Sequence, residues 1–120
     1  MPKPLDIPAL LPLKPVELEL LLALVDEERH GYGLVQRIAE QTDGLIRLEP
    51  GNLYRVIRRL LAAGLVQESA RRETEPGAER RRYYRLTAHG ARVIEAELVR
   101  MRAVLAGEAA RALARRLRPT

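Results

Sequence analysis

Pro50-Gly51-Asn52-Leu53-Tyr54-Arg55-Val56-Ile57-Arg58-Arg59-Leu60-Leu61-Ala62-Ala63-Gly64 is the most informative stretch of the chain. Proline and asparagine suit the start of a helix, and Gly64 suits a left-handed cap at its end. At 100° per residue from Leu53, the side chains of Leu53, Val56, Ile57 and Leu60 fall in one arc. Asn52, Arg55, Arg58, Arg59 and Ala62 fall on the opposite side. The reading is a helix with an apolar inner face and an arginine outer face, the kind of surface a polyanion meets.

Working outward toward the N-terminus, Leu45-Ile46-Arg47-Leu48 reads as a short strand or an extended link, and Thr42-Asp43-Gly44 closes a preceding helix. That second helix runs from Leu34 to Gln41, with Leu34, Val35 and Ile38 inward, after a break at His30-Gly31-Tyr32-Gly33. A first helix begins at Pro15 and is apolar almost all round, with Leu18 and Leu22 among its residues. A helix of that kind is buried on more than one side, between its own core and something else. Residues 1–13, with four prolines, read as an extended N-terminal arm.

Working toward the C-terminus, Leu65 to Thr87 reads as two strands joined by a charged loop with Glu75-Pro76-Gly77 near its tip. Alternation along the return strand, Arg81 to Leu86, places Tyr84 and Leu86 inward and Tyr83 and Arg85 outward. Thr87 can cap a last helix reaching to about Leu117, with Ile94, Leu98, Met101 and Leu105 in a stripe. Thirty residues of helix span about 45 Å, more than a small domain can cover, so a second copy of the chain is the expected cover. Gly107 weakens this helix and marks a bend or a close contact. The organisation read from the chain is an arm (1–13), a domain of three helices and a hairpin (14–87) and a C-terminal helix expected to meet a second copy (88–120).

The chain has 120 residues, 47% apolar and 31% charged, a composition that fits one folded domain and not a disordered protein. Cysteine is absent and only two histidines are present, which excludes disulfides, thiolate metal sites and cysteine nucleophiles. His30 and His89 read as turn and helix-start residues, and no metal or cofactor is expected. No signal peptide is read, and the longest apolar run falls short of the roughly 20 residues of a membrane span, so a cytoplasmic protein is expected. Net charge is −4 over residues 1–46, +5 over 47–85 and +4 over 86–120, with 19 arginines against 2 lysines. Positive charge thus begins abruptly at Arg47. No carboxylate pair, phosphate-cradling glycine loop or nucleophile–base pair suggests an enzyme.

Three helices followed by a two-stranded hairpin, with arginine on the third helix and again on the hairpin, is the order of a winged helix-turn-helix. The fold class is therefore mainly α with a small β-hairpin and a long C-terminal helix. In such proteins the second helix of the pair enters the major groove, where arginine reads guanine bidentately. Arg55, Arg58 and Arg59 are the candidates. Asn52 either pairs with an adenine edge or caps its helix, and Tyr54 either meets a phosphate or fills a boundary position. Arg80, Arg81 and Arg82 suit phosphate or minor-groove contact. Arg111, Arg115, Arg116 and Arg118 read as a solvated helix end. Loss of binding is expected for Arg55→Ala or Arg59→Ala. The alternative is a winged helix that docks an acidic protein partner.

Three motifs carry a family resemblance: Leu22-Ala23-Leu24-Val25 with His30-Gly31-Tyr32-Gly33-Leu34; Glu49-Pro50-Gly51-Asn52-Leu53-Tyr54 with Ala63-Gly64-Leu65-Val66; and Arg82-Tyr83-Tyr84-Arg85-Leu86-Thr87-Ala88-His89-Gly90. From residue 14 to about 100 the chain resembles the PadR family of winged-helix transcriptional regulators, in its smaller subgroup with one C-terminal helix. The resemblance implies a homodimer held by the first and last helices, here through Leu18, Leu22, Ile94, Leu98, Met101 and Leu105. It implies binding to double-stranded DNA at a pseudo-palindromic operator, with repression until an effector releases it. It also places Tyr32 and Tyr54 near the DNA backbone. Some small members stack flat ligands on a tryptophan of the dimer helix. This chain has neither Trp nor Phe, which argues against such a site.

Overall fold

The computed structural model describes residues 7–70 and 82–118. The hairpin tip at Glu75-Pro76-Gly77, together with Arg80 and Arg81, lies outside the described residues. The elements, in order, are α1 (Ile7–Leu10), α2 (Pro15–Ala23), β1 (Arg29–His30), α3 (Gly31–Gln41), α4 (Pro50–Ala62), β2 (Val66–Glu68), β3 (Tyr83–Leu86), α5 (Ala88–Ala106) and α6 (Glu108–Leu117). The architecture is mainly helical with one small antiparallel sheet, as the sequence order implied.

The core is aliphatic because the sequence offers little else. Leu20, Leu21 and Ala23 of α2, Leu34 and Ile38 of α3, Leu53, Ile57 and Leu60 of α4 and Val93 and Ile94 of α5 interlock with Leu65, Val66 and Tyr84. Burying each of the larger side chains contributes about 1.5–3 kcal/mol. The inner arc expected for the third helix is thus the buried one, with Val56 at its half-buried edge. Asp43 and Gly44, at φ 50° and 79°, turn the chain out of α3, and Gly64 at φ 76° turns it out of α4. Residues 45–49 form no strand, so the extended-link reading of Leu45 to Leu48 holds.

Four expectations are corrected. The arm is not extended throughout: Ile7–Leu10 is a helical turn, because a proline is tolerated in a first turn and Ile7, Leu10, Leu11 and Leu13 gain partial burial against the core. The second helix starts at Gly31, not Leu34, because the His30 imidazole Nδ1 accepts the Gly33 N–H at 3.1 Å and caps it. A third strand, β1, pairs with β3 in the sheet order β1-β3-β2, with Arg29 opposite Tyr84 and His30 opposite Tyr83. That pairing explains the third miss, since Tyr83 is buried like Tyr84: the His30 ring meets it edge-on with centroids 5.2 Å apart. Finally, the last helix is two. Gly107 adopts an extended conformation, φ −66° and ψ 156°, between α5 and α6.

Thr87 fastens the start of α5 to the end of α4. Its Oγ1 accepts the Gly90 N–H at 2.9 Å and donates to the Gly64 carbonyl at 2.7 Å. The Thr87 N–H also bonds the Leu65 carbonyl at 3.1 Å. The long helix is thereby tied to the turn that ends the arginine-bearing helix.

Candidate nucleic-acid interface

Helix α4 presents Asn52, Tyr54, Arg55, Arg58 and Arg59 to solvent while its opposite face fills the core. Asn52 is not the helix cap. Glu49 holds that position, Asn52 lies in the first turn, and its Oδ1 accepts from Arg55 Nη2 instead. The cap assignment failed because Pro50 is already the first helical residue, which moves the boundary three residues upstream. Asn52 and Arg55 thus form one exposed polar unit at the N-terminal end of α4.

Arg58 and Tyr54 point the other way around the helix, into a groove of about 620 Å³ bounded by α4, the start of α3 and the sheet. Its walls are His30, Gly31, Tyr32, Tyr54, Ile57, Arg58, Leu61, Glu68, Arg82 and Tyr84. Tyr32 is exposed, its hydroxyl accepting from Gln36 Nε2 at 3.2 Å, and its ring lies parallel to that of His30. Gly31 lets Tyr54 come close, because a Cβ there would stand 2.9 Å from the Tyr54 hydroxyl. Burial, with the neighbouring Tyr54 and Glu68, raises the Tyr84 phenol above its usual range, so it remains a neutral floor. Arg82 lies 3.9 Å from Glu68, too far for a strong pair, and is largely exposed. Two arginines and three phenols therefore line a groove between helix and sheet.

The site residues expected from the sequence divide accordingly. Tyr32, Tyr54, Arg58 and Arg82 come together in the groove, Asn52 and Arg55 lie on the outer face, and Arg59 turns toward α2, 3.2 Å from Glu17. Glu17, Glu68, Gln36 and the capping role of His30 were missed. The hairpin register, Glu68 opposite Tyr84, is the signal that locates Glu68. Nothing in the sequence locates Glu17, whose partner is 42 positions away.

A second, apolar groove of about 470 Å³ runs between α2 and α5, lined by Leu22, Val25, Leu86, Ala91, Ile94, Leu98, Val99 and neighbouring charged side chains. Two of the residues assigned to dimerisation are already largely covered within the protomer. Leu18 and Ile94 are 8% and 4% exposed and are buried in the protomer itself, Ile94 forming the groove floor. Leu22 is half-buried, while Leu98, Met101 and Leu105 stand exposed.

Residues 20–96 match the Transcriptional regulator PadR-like family. The chain belongs to that family. Among solved structures, this PadR-like regulator is similar to a transcriptional regulator from Clostridium thermocellum, with 26% identity, a TM-score of 0.62, and coverage of 74% of this chain and 82% of that one. It also resembles a PadR family transcription regulator from Clostridium difficile, with 22% identity, a TM-score of 0.65, and coverage of 74% and 88%. Bacillus subtilis PadR, solved in complex with operator DNA, shares the fold at 18% identity and a TM-score of 0.62 over 73% of this chain and 48% of its own. No curated protein matches significantly. Among the described residues, no helix of this PadR-like regulator is long and apolar enough to cross a membrane.

Proposed function

We propose that this PadR-family regulator is a homodimeric repressor that binds a pseudo-palindromic operator, each protomer reading one half-site. The observation that carries the reading is the exposed polar face of α4, with Asn52 and Arg55 on its outer side and Arg58 and Tyr54 turned into the groove shared with Tyr32 and Arg82. Arg55, positioned by Asn52, reads a base edge in the major groove, where one bidentate arginine contributes about 1–3 kcal/mol of discrimination. Arg58, Tyr54, Tyr32 and Arg82 hold the flanking phosphates, with Arg80 and Arg81 following the same backbone. These contacts fix register and carry no sequence information. Support for the DNA-binding reading also comes from the fold shared with Bacillus subtilis PadR, which was solved on its operator.

Residues 14–87 form the DNA-binding unit in this reading, and residues 88–120 the dimerising one. The groove between α2 and α5 supplies the dimer surface, through Leu22 and Leu98 with Met101 and Leu105 beyond them. The two copies of α4 then lie roughly 34 Å apart, or a multiple of that, on one side of the duplex. An effector releases the operator by favouring a dimer with a different spacing or tilt. The test is selection of sites from a random duplex pool, with wild type and with Arg55→Ala/Arg58→Ala. An inverted repeat enriched by the wild type and lost in the variant supports the reading. Enrichment of no site by either protein refutes it.

A further inference from the structure

Among the described residues, Arg59 is the arginine of α4 whose guanidinium reaches another element: its Nη1 donates to Glu17 Oε2 of α2 at 3.2 Å. Glu17 is held from both sides. Its carboxylate is 13% exposed, and its Oε1 accepts the Lys14 N–H at 3.1 Å in the first turn of α2. The preceding amide, that of Leu13, is in turn donated to the buried Glu97 of α5 at 2.7 Å. The Glu17 carboxylate therefore cannot follow Arg59 when that side chain swings outward. A phosphate that takes Arg59 leaves behind a largely covered carboxylate that keeps the Lys14 amide but has lost its cation.

We propose that Glu17 restrains Arg59 and so acts as a brake on the binding of DNA of any sequence. Glu17 is a positioning residue in this scheme: it makes no DNA contact and acts by competing with phosphate for one guanidinium. The inference rests on the DNA-binding reading above. It explains a design in which α4 carries three arginines but only Arg55 and Arg58 are engaged within their own helix or groove. Affinity for bulk DNA falls, while Asn52–Arg55 retains the base-reading role.

The experiment compares wild type, Glu17→Gln, Arg59→Ala and the double variant on a random-sequence duplex at several salt concentrations. Glutamine keeps an oxygen for the Lys14 amide, and equal melting temperatures establish that the fold is intact. Glu17→Gln is expected to tighten binding about two- to fivefold per protomer near 0.1 M salt, the range of an exposed ion pair. It is also expected to steepen the logarithmic salt dependence by about 0.9 per protomer, because one more phosphate is neutralised. In the Arg59→Ala background, Glu17→Gln is expected to change neither quantity. Unchanged or weaker binding by Glu17→Gln overturns the brake. So does a gain that persists without Arg59, which would be simple removal of negative charge. Failure of the wild type itself to bind any duplex overturns the underlying reading, and is distinguished by that fact.

Discussion

Two glycines separate contacts that serve binding from contacts that serve folding. A Cβ at Gly31 would meet the far end of the Tyr54 side chain, at 2.9 Å from its hydroxyl. Because a side chain can swing away, Gly31→Ala is expected to change stability by less than about 1 kcal/mol while displacing Tyr54 from the groove. Duplex binding should fall severalfold at an unchanged melting temperature. At Gly90 a Cβ would lie 2.1 Å from the Leu65 carbonyl oxygen, which is backbone and cannot yield cheaply. Gly90→Ala is expected to destabilise by about 1–3 kcal/mol, read as a lower urea midpoint at an unchanged m-value. Glu97 is the third residue of this kind, a buried carboxylate that accepts from Arg100 Nε and from the Leu13 amide. Leaving both donors without it, as in Glu97→Ala, should cost about 1–3 kcal/mol and loosen the arm around α1.

At the scale of elements, the break at Gly107 decides the shape of the C-terminal region. Helix α6 carries Arg111, Arg115 and Arg116, and its Leu113 and Leu117 lie exposed, so its apolar side chains are not buried within the protomer. Gly107→Ala exchanges a poor helix former for a good one, worth about 1 kcal/mol toward a continuous helix. Far-UV circular dichroism should then show greater helicity, since α5 and α6 would join. The arginine helix and the long helix share a turn through Thr87, Gly64 and Leu65. A change in the tilt of α5 is therefore passed to the C-terminal end of α4.

For the molecule as a whole, the radius of gyration of 17.0 Å exceeds the about 13–14 Å of a compact chain of this length. The excess comes from a C-terminal region whose Leu105, Leu113 and Leu117 the rest of the chain leaves exposed. Leu98→Asp, which places a charge in the groove between α2 and α5, is expected to turn the proposed dimer into a monomer in sedimentation equilibrium. It should leave each protomer folded, because Leu98 is 43% exposed. Stability is expected to fall in acid. The Arg100 hydrogen bond and the Leu13 amide together outweigh burial and hold the Glu97 carboxyl below its usual 4.5. Around Asp26, burial pushes upward, but the hydrogen bond and charge of Arg29, with Arg37 beyond, hold it below 3.8. Both carboxyls have folded values depressed below the unfolded ones, so their contribution is complete above about pH 4.5 and disappears as pH falls through the folded values. Melting temperature should be flat above that pH and drop below it, with the drop reduced in Glu97→Gln.

Periodicity and punctuation made much of this protein legible in one dimension. The apolar arc of α4, its arginine face, Gly64 at its end and Thr87 at the start of α5 are local properties, set by 100° steps, backbone conformation and side-chain caps. They depend on residues a few positions apart, which is why the order of helices and hairpin could be read directly. The His30 cap is equally local, three residues from the Gly33 N–H it accepts, and was missed because histidine is an uncommon cap. Strand β1, the burial of Tyr83 and the covering of Leu18 and Ile94 within the protomer arise instead when distant segments pair or pack. The same holds for Glu17 against Arg59 and for Leu13 against Glu97, contacts between residues 42 and 84 positions apart. Sequence alone determined which faces are apolar and which are charged; tertiary structure decided which of those faces are already covered, because burial is a property of what lies opposite.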